Sequence, residues 1–257
     1  MIPNKALGQH FFTNTKVLNR IIEIINPSPK DTYIEIGPGK GAFTFPLSKR
    51  VMKLIAIEKD SNLVSYLNKV ATEGYYNNIR FENQDILDVA LSNFISEPYY
   101  IFGSLPYNKS KEIIEMFLLQ KHPRPRALYF IVQKEVSQKY LRQTSSLSYF
   151  SAFAQLTSVP CKLFEINPGS FTPPPQVKSV LIEFKLKRDI TKFENCTQLL
   201  SIIFKQPRKT IRNNLLSNSS ISQDFLSLIS NKVLSRRASE LKIKEVEDLL
   251  LLYNKSR

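Results

Sequence analysis

The residues best suited to chemistry in this sequence sit where short apolar runs give way to turns. The run Tyr99-Tyr100-Ile101-Phe102-Gly103 ends in Ser104-Leu105-Pro106-Tyr107. Pro106 has no N–H and disfavours helical backbone at Leu105, so a strand breaking into this turn leaves carbonyls without ladder partners. A polar side chain, free carbonyls and the ring of Tyr107 together suit a flat molecule bearing an amino group, such as a nucleobase. The same tetrapeptide also ends ordinary strands, so its meaning depends on what else converges on it.

Three other segments supply that context. Thr32-Tyr33-Ile34-Glu35-Ile36 reads as a buried strand, and Gly37-Pro38-Gly39-Lys40-Gly41 follows at once, opening a helix expected over about Ala42 to Arg50. A second strand, Lys53 to Ile57, ends at Glu58, close to the spacing of about 20 residues at which an acid meets a ribose hydroxyl pair. A third, Ile79 to Asn83, is followed by Gln84 and Asp85. In an open parallel sheet the carboxyl ends of the strands share one crevice, so Gly37, Glu58, Asp85 and Ser104 would line it together. Taken singly, Glu58 and Asp85 are more readily read as caps of helix N-termini.

These ends point to an α/β domain built on an open parallel sheet. Helices are expected over Val17–Ile25, Ser61–Thr72, Lys109–Leu119, Lys134–Tyr140 and Leu147–Leu156, and a strand over Ala127–Val132. Two strand-like runs, Cys161–Ile166 and Val177–Leu186, read as an antiparallel hairpin completing the sheet. Between them Phe171-Thr172-Pro173-Pro174-Pro175 forms a stiff ledge, with Phe171 either displayed on it or buried beneath it. Near the N-terminus, Gly8-Gln9-His10-Phe11-Phe12 needs a pocket for two rings; it is either a staple on the following helix or part of a ligand site. From about residue 188 the period is helical to the end. We therefore expect a domain over 1–187 and a small all-helical one over 188–257.

Composition narrows the partner. The 257 residues carry 36 Lys and Arg against 22 Asp and Glu, a formal charge of +14, which is the footprint of a phosphate-rich partner. Lys205, Arg208, Lys209 and Arg212 fall in one stretch free of acids, with Arg236-Arg237 further on. No apolar run approaches the roughly 18 residues of a spanning helix, and the N-terminus lacks a secretory block, so a cytoplasmic protein is expected. Cys161 and Cys196 have no metal-ligand spacing and read as two small buried hydrophobes; no metal is expected.

Taken in order, Gly8-Gln9-His10-Phe11-Phe12, Glu35-Ile36-Gly37-Pro38-Gly39, Glu58, Gln84-Asp85, Gly103 to Asn108 and Phe171 to Pro175 resemble the ribosomal RNA small-subunit adenine dimethyltransferases. The resemblance covers almost the whole chain. It implies an α/β fold with a Rossmann-like S-adenosylmethionine-dependent methyltransferase sheet and a helical C-terminal domain, acting on small-subunit ribosomal RNA in immature subunits; a monomer is expected. It further implies that Gly37 and Gly39 pass beneath the cofactor's amino-acid part, that Glu58 holds the ribose and that Asp85 accepts from the adenine. Gln9, His10 and Phe12 would close that pocket. Ser104, Leu105, Pro106 and Tyr107 would grip the target adenine, Ser104 also facing the cofactor, with Phe171 and Tyr107 stacking on the base.

Two positions depart from the family, which usually has Asn at both 104 and 10. A serine hydroxyl reaches less far than an amide and brings no amide donor. Three alternatives follow. The chain could be an assembly factor of this fold with weak or no catalysis, or a large-subunit RNA methyltransferase. A nicotinamide dehydrogenase would use the glycine turn and Glu58, but leaves Asp85 and the charge unexplained.

Overall fold

A computed structural model describes residues 10–95, 98–121, 123–141, 146–193 and 195–256. Its elements run β1 Phe11–Phe12, α1 Thr15–Ile25, β2 Thr32–Ile36, α2 Thr44–Ser48, β3 Lys53–Glu58, α3 Ser61–Glu73, β4 Ile79–Asn83, β5 Tyr100–Ser104, α4 Ser110–Leu119, β6 Ala127–Gln133 and α5 Lys134–Tyr140. There follow α6 Tyr149–Thr157, β7 Ser158–Ile166, β8 Phe171–Thr172, β9 Ser179–Leu186, α7 Cys196–Ile203, α8 Ile211–Leu216, α9 Gln223–Ser227, α10 Asn231–Leu234 and α11 Ile243–Lys255. Seven strands form one sheet in the order β4-β3-β2-β5-β6-β9-β7. β2, β3, β4, β5 and β6 run parallel and β9 antiparallel to β6. The order reverses at β2, so the crevice of this sheet lies beyond the carboxyl ends of β2 and its neighbours.

The central strands read as continuous apolar runs, as strands buried on both faces do. All five residues of β2 are buried, as is every residue of β6 but the last. Asn14 starts α1 by accepting the Val17 N–H at 3.1 Å, and Leu18, Ile21, Ile22 and Ile25 form its buried face. The helix expected from Ala42 is shorter than its pattern: residues 39–43 form turns and α2 starts at Thr44. Pro46 sits in its first turn, where a missing N–H costs nothing.

The chain divides into two units, 1–137 with 161–186, and 138–160 with 187–257. The last change of unit falls between residues 186 and 187. Residues 138–160, expected in the first domain, group in the structure with the helical unit. α6 contacts both α7 and α11, and the Leu147 N–H donates to the Ser239 carbonyl at 2.9 Å. A nine-residue helix carries no mark of which core it joins.

Within the helical unit, Lys205, Arg208, Lys209 and Arg212 are exposed. The turn bearing them is anchored by buried Asn214, whose amide donates to the carbonyls of Ile203 and Gln206 and accepts the Gln206 N–H, each at 3.1 Å. Arg236 is paired with Glu245 at 2.6 Å and is not free for a ligand. Cys196 is buried, its thiol pushed up to about 11 by desolvation. Cys161 is exposed, against expectation, because it lies on the edge strand β7, where no residue between Ser158 and Ile166 is buried. Among the described residues no helix is long and apolar enough to cross a membrane, and no cluster of His, Cys, Asp or Glu could hold a metal ion.

Candidate active site

A cleft of about 490 Å³ opens at the carboxyl ends of β2, β3, β4 and β5, all within the first unit. The size suits a nucleoside-bearing ligand. Gly37, Gly39, Glu58, Asp85, Ser104, Leu105, Pro106 and Tyr107 all line it, as do His10, Phe12 and Phe171. Gln9 lies outside the described residues.

The glycine turn is held by the next strand. Gly37 and Gly39 have φ of +64° and +58°, a left-handed backbone that glycine adopts without penalty. The Gly37 N–H donates to the Ile57 carbonyl at 3.0 Å, and the Gly39 N–H donates to Glu58 Oε2 at 3.1 Å. Glu58 Oε1 accepts the Asp60 N–H at 3.0 Å. Glu58 is thus buried and fixed, and does not cap α3; Asp60 does, accepting from Asn62 and Leu63. Burial raises the Glu58 pKa, and its backbone hydrogen bonds oppose the rise.

Asp85 accepts the Leu87 N–H at 3.1 Å, capping a single 3₁₀ turn, while its other oxygen accepts from Lys59 Nζ at 2.7 Å. The Lys59 ammonium holds its carboxyl below the usual range. Both readings of this acid therefore meet in one residue: it caps, and it faces the cleft.

Two residues of the cleft escaped the sequence reading. Glu35 is fully buried beneath the glycine turn and its Oε2 has no hydrogen-bond partner. Burial above all, and then the Glu58 charge, push its pKa up to about 8. An acid at a central position of a buried strand is the available signal, since such a group needs a partner. Lys59 is the other, and nothing but adjacency to Glu58 marks it.

The opposite wall is built from the N-terminal segment and the proline ledge. β1 pairs antiparallel with β8, Phe11 opposite Thr172 and Phe12 opposite Phe171. The Phe12 ring lies 5.0 Å from that of Phe171 and 4.8 Å from Phe43. Of the two arrangements expected for Phe171, the observed one is burial under the ledge and not display on it. His10 Nδ1 lies 2.7 Å from the Pro173 carbonyl, and its ring stacks on Tyr107 at 5.2 Å. Tyr107 is half-buried, its hydroxyl 3.5 Å from Ser179 Oγ. In the turn the Leu105 N–H still reaches the Ile131 carbonyl at 3.1 Å, and the Pro106 carbonyl accepts from the Lys109 N–H at 3.1 Å. The Pro106 carbonyl is therefore engaged, contrary to the expectation of a free acceptor there.

Comparison with known proteins bears on this cleft. The sequence model of the family described as "Ribosomal RNA adenine dimethylase" matches residues 3–256. A ribosomal RNA small subunit methyltransferase A of Wigglesworthia glossinidia brevipalpis is 37% identical over 254 residues, covering 94% of each chain. One from Prochlorococcus marinus is 34% identical over 94% of this chain and 92% of its own. Among solved structures, a dimethyladenosine transferase from Plasmodium falciparum superposes with a TM-score of 0.82 at 24% identity, covering 96% of this chain and 98% of that one. The 23S rRNA methyltransferase ErmE gives 0.72 at 19% identity, over 96% and 100%. At those identities the two structures speak for the fold.

Proposed function

Because the chain belongs to the ribosomal RNA adenine dimethylase family and is an S-adenosylmethionine-dependent rRNA adenine dimethyltransferase, we propose that it modifies small-subunit rRNA in immature subunits and that the β2–β5 cleft is its active site. In this reading it works as a cytoplasmic monomer. The observation that carries the reading is the joining of two half-sites in one cleft: Glu58, Asp85 and the glycine turn on one side, Ser104 to Tyr107 on the other.

The residues present fit the cofactor. The unpartnered Glu35 Oε2 offers a buried acceptor to a cationic amino-acid end. Glycines at left-handed φ let backbone come close to a ligand, Glu58 suits ribose hydroxyls, and Asp85 suits an adenine amino group. The bound cofactor supplies an electrophilic sulfonium methyl.

The chain's own task is to prepare the nucleophile. An adenine amino nitrogen is weakly nucleophilic because its lone pair is delocalised into the ring. If its two protons are accepted by Ser104 Oγ and the Leu105 carbonyl, the nitrogen is drawn toward tetrahedral geometry and aimed. The Tyr107 ring, backed by His10, sets the plane of the extruded base. Positioning of this kind is worth a large effective molarity, so no tuned general base is required; the proton of the cationic product passes to water. Phe171 would act from beneath, holding the wall against which the base rests.

The serine at 104 also favours a second reading, an assembly factor with weak catalysis. Transfer of a labelled methyl group to small-subunit particles from cells lacking the enzyme decides between them. We expect two methyls on one adenine nitrogen, and none on large-subunit rRNA. Cofactor binding with no transfer would leave the assembly factor.

A further inference from the structure

The end of the sheet remote from the cleft carries a second set of residues suited to RNA. α3 closes there through Gly74, Tyr75 and Tyr76: the Tyr75 N–H donates to the Thr72 carbonyl at 3.3 Å and the Tyr76 N–H to the Ala71 carbonyl at 2.9 Å. In such a closure the left-handed position usually belongs to glycine. Here Tyr75 holds it, at φ +56°, with its side chain 85% exposed. A bulky residue in that backbone is strained, and solvent-facing aromatic surface gives the fold nothing in return.

The surroundings are basic. Tyr76 turns inward against Phe45, ring centroids 4.8 Å apart, with Lys49 Nζ 5.5 Å from its ring. Asn78 donates its amide to the carbonyls of Ser48 at 2.8 Å and Val51 at 3.0 Å, which ties the turn bearing Lys49 and Arg50 to the turn bearing Tyr75. Lys49, Arg50 and Lys53 have no carboxylate partner among the described residues. The nearby acids are engaged: Asp31 accepts the Ser28 N–H at 2.8 Å and Glu73 pairs with Lys69 at 3.8 Å.

We infer that this face is a second RNA-binding surface, where Tyr75 stacks on an unpaired base of the substrate and Lys49, Arg50 and Lys53 meet its phosphates. The inference rests on the reading that the substrate is ribosomal RNA. Unpaired cations beside an exposed ring are the composition of a single-strand platform. A protein partner would want a wider apolar centre than the one exposed Met52 provides. A strand of five residues separates the two ends of the sheet by roughly 17 Å, so this face acts on affinity for the RNA and not on the methyl transfer.

Two variants test it: Tyr75→Gly, which suits the left-handed backbone, and the pair Lys49→Gln with Arg50→Gln. Each is assayed for kcat and KM on small-subunit particles, for filter binding to protein-free small-subunit rRNA, and for melting temperature. Tyr75→Gly is expected to raise KM and the RNA Kd at least about fivefold, with kcat unchanged and melting temperature equal or higher. The charge pair is expected to lower the slope of log affinity on log salt by about 1.4. Unchanged RNA binding and slope in both variants would overturn the inference, and a KM rise confined to intact particles would overturn it in favour of a ribosomal protein. If wild type transfers no methyl, the substrate reading fails, while the RNA-binding comparison still decides the face.

Discussion

Glu58 and Gly39 are joined by a hydrogen bond of 3.1 Å from the glycine N–H to the buried carboxylate. The acid that ends β3 therefore fixes the turn that ends β2, on the side of the cleft proposed to hold the cofactor. Glu58→Gln would put an amide donor against the N–H of Gly39 or Asp60. We expect a loss of about 1–3 kcal/mol in stability and at least tenfold weaker binding of S-adenosylhomocysteine, measured by denaturant titration and calorimetry.

Asp85 is a different case, because its ion pair with Lys59 is largely exposed and contributes little to folding. Asp85→Asn should leave the melting temperature nearly unchanged and weaken S-adenosylhomocysteine about tenfold. Lys59 holds the Asp85 carboxyl low, so the acid is ionised at every pH above its depressed value. Any loss of affinity between pH 8 and pH 5 must then be absent from Asp85, and the Asp85→Asn profile over that range should parallel wild type.

Glu35 gives the pH dependence of stability its sign. Its folded pKa, about 8, lies above the ordinary carboxylate value of 4.5, so the folded state retains a proton that the unfolded state loses. The contribution is fully present below pH 4.5, falls as pH rises, and is gone above about 8. Denaturant midpoints should therefore drop from pH 5 to pH 8. Glu35→Gln should flatten most of that slope, with a smaller one of the same sign left from Glu58, whose pKa is also raised. A slope unchanged in Glu35→Gln would mean another group carries it.

Much of this was legible in the sequence. β2 and β4 fall on the expected residues, and β3 and β5 within one, because buried parallel strands are short apolar runs bounded by turn residues. Convergence at the carboxyl ends followed from topology alone. The β1–β8 clip was not legible, since two residues cannot show a period, and so the burial of Phe171 stayed open. Nor was the placement of residues 138–160, which depends on which core α6 meets. Glu35 stands in the motif that leads into the glycine turn, but the lack of a partner for its Oε2 is a fact of three dimensions.

Ser104 separates binding from chemistry. Ser104→Ala removes the proposed side-chain acceptor for the target amino group and is expected to lower kcat about tenfold or more, with S-adenosylhomocysteine affinity within about twofold of wild type. Ser104→Asn restores an amide oxygen and should raise kcat above wild type. Both are read in single-turnover methyl transfer.

The most direct measurement is mass analysis of small-subunit rRNA from cells with and without this chain. A single cleft in which the methyl donor faces an extruded adenine predicts N6,N6-dimethyladenosine at defined positions only when the chain is present, and its disappearance with Tyr107→Ala while S-adenosylhomocysteine still binds. Identical adenosine modification in both cell lines, or full dimethylation by Tyr107→Ala, would contradict it.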